Sequence, residues 1–157
     1  METTAGGGSV ERFVATVPEP GRGILQALRG GLLRLGGVTE KMIVDYDARE
    51  ESPAFYVGAR QLCHVHPAED RVSCTISLDR TLTFEVLKSR DVPEAFRGLA
   101  ERTKEYGATR WVSVTLARPE DVEGFLGLAR LKHRYLFLGG PGELAIPKDQ
   151  TTLEKFA

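Results

Sequence analysis

Between residues 24 and 35 the apolar side chains Ile24, Leu25, Leu28, Leu32, Leu33 and Leu35 return every three or four positions, the spacing of one helix face. Pro20 suits the entrance of this helix and Gly36-Gly37 its end. Gly30 and Gly31 lie in its middle, where each weakens a helix by about 1 kcal/mol relative to alanine, so a close helix–sheet contact is expected there. The period then changes to two. Residues 41–47 alternate Met42, Val44 and Tyr46 with polar positions, 54–57 form a short aromatic run, and 60–66 and 71–78 are β-rich. Residues 47–53 are polar and read as a turn, and 81–87 fit either a strand or the lead into a helix. A helix is predicted over 93–106 from Ala95, Phe96, Leu99, Ala100 and Thr103, ended by Gly107. A strand follows over 110–116. A last helix runs from about 119 to 135 on a stripe of Val122, Phe125, Leu126, Ala129 and Leu131 or Lys132. Leu144, Ala145 and Ile146 offer one further short strand.

The loop Pro67-Ala68-Glu69-Asp70 joins two of these strands at hairpin length. If it sets His66 opposite Arg71, then Val65 faces Val72, His64 faces Ser73 and Cys63 faces Cys74. Side chains alternate along a strand, and cross-strand neighbours share a face. One face then holds Cys63, Val65, Val72, Cys74, Ile76 and Leu78; the other holds His64, His66, Ser73, Thr75 and Ser77. The clean segregation supports the register.

The order helix, four or five strands, helix, strand, helix predicts an α+β fold: a mostly antiparallel sheet of about five strands with helices packed on one face. Residues 1–12, rich in Gly, Thr and Ser, are expected to be disordered. Residues 13–138 form the single domain, and 139–157 an irregular tail broken at Gly139-Gly140-Pro141-Gly142.

Composition narrows the function classes. A chain of 157 residues with 41% hydrophobic and 27% charged residues buries a core without metal or disulfide support. Its net charge of -1 gives no bulk attraction to a polyanion, which disfavours nucleic acid. No apolar run is long enough to span a bilayer and no leader peptide is visible, so a cytoplasmic protein is expected. Cys63 and Cys74 are too few for a disulfide framework and read as buried thiols.

Three stretches carry a family likeness. They are Phe55-Tyr56-Val57-Gly58 into Arg60-Gln61-Leu62-Cys63, closed by Pro67; the helix over 93–106; and Thr109-Arg110-Trp111-Val112-Ser113-Val114 followed by Glu120-Asp121-Val122. Across residues 24–136 the chain resembles the YdhG-like superfamily of small α+β domains, with the YjbR-like domains nearby. The resemblance implies a fold, with Trp111 and Cys63 as packing residues. A YdhG-type relative has been called an iron chaperone, but no ligand set matches that role residue by residue.

Candidate chemistry centres on Cys63-His64-Val65-His66. A His-x-His pair on a strand puts both imidazoles on one side, within reach of one metal ion. A site needs a third donor; Asp45 or Asp47 would supply one only from an adjacent first strand, and His133 belongs to a distant helix. No nucleophile elbow is present, and Glu50, Glu51, Glu69 and Asp70 read as solvated turn residues. Arg110, Arg130, Lys132, His133 and Arg134 form a modest basic cluster near a helix end. Trp111 shares a face with Ser113 and Thr115, and on the histidine side would add an aromatic to a surface of small polar groups. The candidate ligand-binding set is therefore His64, His66, Arg71, Ser73, Thr75, Trp111 and Ser113, with His64 and His66 also the metal candidates. No catalytic residue and no cofactor are assigned. The expected function is a non-catalytic module binding a small ligand or a protein, as a homodimer; a metal-handling protein and an unrecognised enzyme are the alternatives.

Overall fold

The computed structural model describes residues 5–45, 49–66 and 71–138. In chain order the elements are α1 (Ala5–Thr16), α2 (Gly21–Leu33), β1 (Val38–Asp45), β2 (Glu50–Val57), β3 (Arg60–His66), β4 (Val72–Asp79), α3 (Arg80–Leu87), α4 (Glu94–Arg102), β5 (Glu105–Tyr106), β6 (Thr109–Leu116) and α5 (Pro119–Phe137). The strands form one antiparallel sheet in the order β1-β2-β3-β4-β6-β5. The fold is α+β as expected. The sixth strand, β5, is two residues long and takes the end of the helix predicted to reach residue 106.

Alternation builds the core. Val65, Cys74, Ile76, Val112 and Val114 point to one side and are essentially unexposed. Helices α1, α2 and α5 lay Val10, Val14, Leu25, Leu28, Leu32, Phe125 and Leu128 on that side, in one continuous cluster with the strands. Asp79 starts α3, its side chain accepting the Leu82 N–H at 2.8 Å, a cap that decides for a helix over 81–87. Asp121 accepts the N–H groups of Ala117 and Arg118 at the start of α5. Burial opposes its charge, but these bonds and the Arg118 guanidinium outweigh that and hold its carboxyl below the usual range.

Four expectations are corrected. From Ala5 the supposedly loose N-terminus is helical, because Val10 and Val14 recur four residues apart and bury against the sheet. Residues 50–53 continue β2 instead of turning, pairing Glu50 with Asp45 and Pro53 with Met42. The close approach at Gly31 is helix on helix: a Cβ there would lie 2.5 Å from Leu126 Cδ1 of α5. The β3–β4 register is two residues from that predicted, with His66↔Ser73, Val65↔Cys74 and His64↔Thr75. A shift of two preserves the faces, but it takes Cys74 from opposite Cys63 to opposite Val65. The short strand proposed at 144–146 and the break at 139–142 lie outside the described residues.

Candidate functional site

The face of the sheet turned away from the described helices collects the polar half of the alternation. Pairings His64↔Thr75, His66↔Ser73, Thr75↔Ser113, Ser73↔Thr115 and Ser77↔Trp111 carry one face across β3, β4 and β6. His66 Nε2 is hydrogen-bonded to Thr75 Oγ1, and Thr75 Oγ1 to Ser113 Oγ at 2.9 Å. The rings of His64 and His66 meet edge to face with centroids 4.6 Å apart. His64 Nδ1 is bonded to Gln61 Oε1 at 2.9 Å, and Gln61 Nε2 donates to Tyr56 Oη at 3.4 Å. Lys41 of β1 sets its ammonium 4.6 Å from the centre of the Tyr56 ring.

A β-bulge makes this row possible. In a regular strand Gln61 and His64, three apart, would face opposite sides. The register shifts between Phe55 and Tyr56, so that Phe55 pairs with Cys63 but Tyr56 with Gln61. Leu62 is the extra residue and is buried beside Cys63. Gln61 and Tyr56 were absent from the predicted set. Their signal was the adjacent apolar pair Leu62-Cys63 in an otherwise alternating strand.

Of the predicted residues, the structure brings His64, His66, Ser73, Thr75, Trp111 and Ser113 onto one face. Arg71 is exposed and borders a separate cleft of about 350 Å³ with Pro20, Gly21, Ile24, Leu116 and Ala117. Ser77 turns its hydroxyl to Lys132 of α5. Trp111 is half-buried, and its indole N–H is buried with no hydrogen-bond partner among the described residues.

No set of three metal-capable side chains occurs among the described residues. The first strand adjoins β2, not the histidine strand, so Asp45 is not adjacent; Asp47 lies outside the described residues. His133 Nε2 is bonded to the Gly36 carbonyl at 2.7 Å. Cys63 belongs to the covered layer, where burial pushes its thiol up to about 12, and burial likewise raises Cys74. Both are free thiols.

The basic cluster also separates. Arg110 Nη1 donates to the carbonyls of Glu101 and Thr103 at the end of α4. Lys132 is buried and donates to the Ser77 carbonyl at 2.7 Å and its hydroxyl at 2.9 Å. The β3–β4 pairing ends at His64↔Thr75, two residues before Ser77 on β4. Burial lowers the Lys132 pKa to about 8, against the opposing pull of Cys63 and Asp79.

The row has a definite chemical character. Ser, Thr, Tyr, Gln and neutral His each both donate and accept hydrogen bonds, so the row can present either polarity to a ligand by rotating hydroxyls and exchanging tautomers. No family model, curated protein or solved structure matches this chain.

Proposed function

We propose that the chain is a non-catalytic binding module whose sheet face opposite the described helices receives a small, uncharged polar molecule against Trp111. The observation that carries this reading is the row Tyr56–Gln61–His64–His66–Thr75–Ser113, which crosses four strands on one face. Its side chains supply both donors and acceptors with no carboxylate or guanidinium among them, which favours a neutral ligand over an ion. Two free buried thiols support a reducing, cytoplasmic setting. The YdhG-like resemblance remains part of the proposal, on the stretches that carry it.

Trp111 is the chain's sole tryptophan, so its fluorescence reports on this face directly. A library of neutral polar fragments, each at about 1 mM, is screened by that emission and by the imidazole NMR signals. At least one fragment is expected to give a saturable shift in wild type that Thr75→Val with Ser113→Ala weakens severalfold. No response from any fragment, or responses indifferent to the double substitution, would reject the proposal.

A second reading draws on the contact between the two imidazoles, which a metal ion could bridge. His64 Nδ1 is bonded to Gln61 and His66 Nε2 to Thr75, so these bonds set the rings' orientation beside each other. Titration with Zn²⁺ decides: this reading requires binding that His64→Ala, His66→Ala abolishes.

A further inference from the structure

The two edges of the sheet are built differently. One ends in β5, only two residues long, whose Glu105 is held by Arg80 at 2.5 Å. Short, charged edges resist pairing with other strands. The other edge is β1, eight residues long and without proline. Among the described residues, no backbone hydrogen bond from outside the sheet reaches positions 39–45. Met42, Ile43 and Val44 lie in its middle; Val44 is 52% exposed and the other two are half-buried. An open edge of this length with an apolar centre is a template for another strand.

We propose that β1 pairs with β1 of a second copy about a two-fold axis through Ile43, extending the sheet across both subunits. A two-fold normal to the sheet keeps both helix layers on one side, and it requires residues i and j to pair reciprocally. Of the registers that preserve the faces, those centred on Glu40 or Lys41 set like charges opposite each other. Centring on Met42 puts Glu40 against the apolar Val44. Centring on Ile43 sets Met42 against Val44 twice, Ile43 against itself, and Lys41 against the aspartate at position 45. Among registers centred on residues 40 to 43, this one joins apolar to apolar and cation to anion. The occupant is therefore a second copy, because the strand complements itself. Strand pairing alone covers less than a stable dimer needs, so a dissociation constant in the micromolar range follows.

The inference is independent of the ligand reading, because β1 and the Trp111 strand are separated by three others. Light scattering at about 200 µM should give twice the monomer mass, falling towards the monomer on dilution. Ile43→Lys, which sets two lysines together on the axis, should leave a folded monomer by circular dichroism. The register is tested by mild oxidation: Ile43→Cys should form a disulfide-linked dimer and Lys41→Cys should not. The native thiols are fully buried and do not compete. A monomer at the highest concentration, a dimer unaffected by Ile43→Lys, or cross-linking at position 41 as fast as at 43 would each overturn the proposal.

Discussion

The same strands that bury Val65, Cys74, Ile76 and Val112 on one face hold His66, Thr75 and Ser113 on the other. The two faces differ in what fixes them. The covered face is held by area: each side chain is in place because helices lie on it, and the energy is spread over many contacts. The opposite face is held by direction, through a few hydrogen bonds that each need a named partner. A substitution in the covered layer should therefore cost far more stability than one on the row. Phe125 of α5 is wholly buried, and Phe125→Ala is expected to cost about 3–5 kcal/mol in urea unfolding. A loss below about 1 kcal/mol would mean that the helix layer packs loosely.

Lys132 breaks the distinction, since it brings a directional polar contact into the layer held by area. Its folded pKa of about 8 lies below the ordinary 10.5, so between those pH values the unfolded chain holds a proton that the native chain has lost. Stability from this group therefore rises with pH through that window, is complete above 10.5, and is lost as pH falls through 8. The span amounts to about 3 kcal/mol at most. The thiols act oppositely: above their ordinary value the unfolded chain loses protons that native Cys63, raised to about 12, retains. The difference between wild type and Lys132→Met isolates the lysine. That difference should shift in favour of wild type as pH is raised from 7 to 10.5. A pH-independent difference would mean that water reaches the ammonium and that the covered layer is open there.

A third test probes how tightly the area-held layer fits. A Cβ on Gly127 of α5 would stand 2.4 Å from the Asp91 carbonyl oxygen, a backbone atom that cannot rotate away. Gly127→Ala should cost about 1–3 kcal/mol despite alanine's better helix propensity. Gly31→Ala meets only the end of the Leu126 side chain and should cost less, because a leucine can change rotamer. Equal costs at the two positions would show that α5 shifts as a rigid body.

The contrast between faces also explains what could be read from the sequence. Alternation reports which face a residue takes, and that survives an error of two in register; so the grouping of His64, His66, Ser73 and Thr75 was legible although the pairing was not. Hydrogen bonding depends on register and on bulges, and neither has a periodic signature. Gln61 entered the row through one extra residue at Leu62, and Lys132 looked like either a stripe residue or a member of a basic cluster. The first helix was missed because its glycines and threonines suggest a flexible segment, while burial of Val10 and Val14 overrides that propensity. Arg71 illustrates the remaining limit: strand parity names a side, but Arg71 stands just before β4 begins at Val72 and borders another cleft.

The smallest expected effect lies on the row itself. Thr75 joins His66 to Ser113 through one hydroxyl and is 5% exposed. Thr75→Val keeps the shape, removes two hydrogen bonds, and leaves the imidazole and the serine hydroxyl to find water at the surface. Because Ser113 is exposed and His66 half-buried, that rescue is available, and the loss should be about 1 kcal/mol. Ser113→Ala, which leaves the Thr75–His66 bond in place, should cost less still. The two substitutions in combination sharpen the contrast: on a face fixed by direction the row is coupled, so the double variant should be less destabilised than the summed singles. Strict additivity, read from urea midpoints of the four proteins, would mean that the hydroxyls act separately and that the row's face is no more organised than an ordinary solvated sheet.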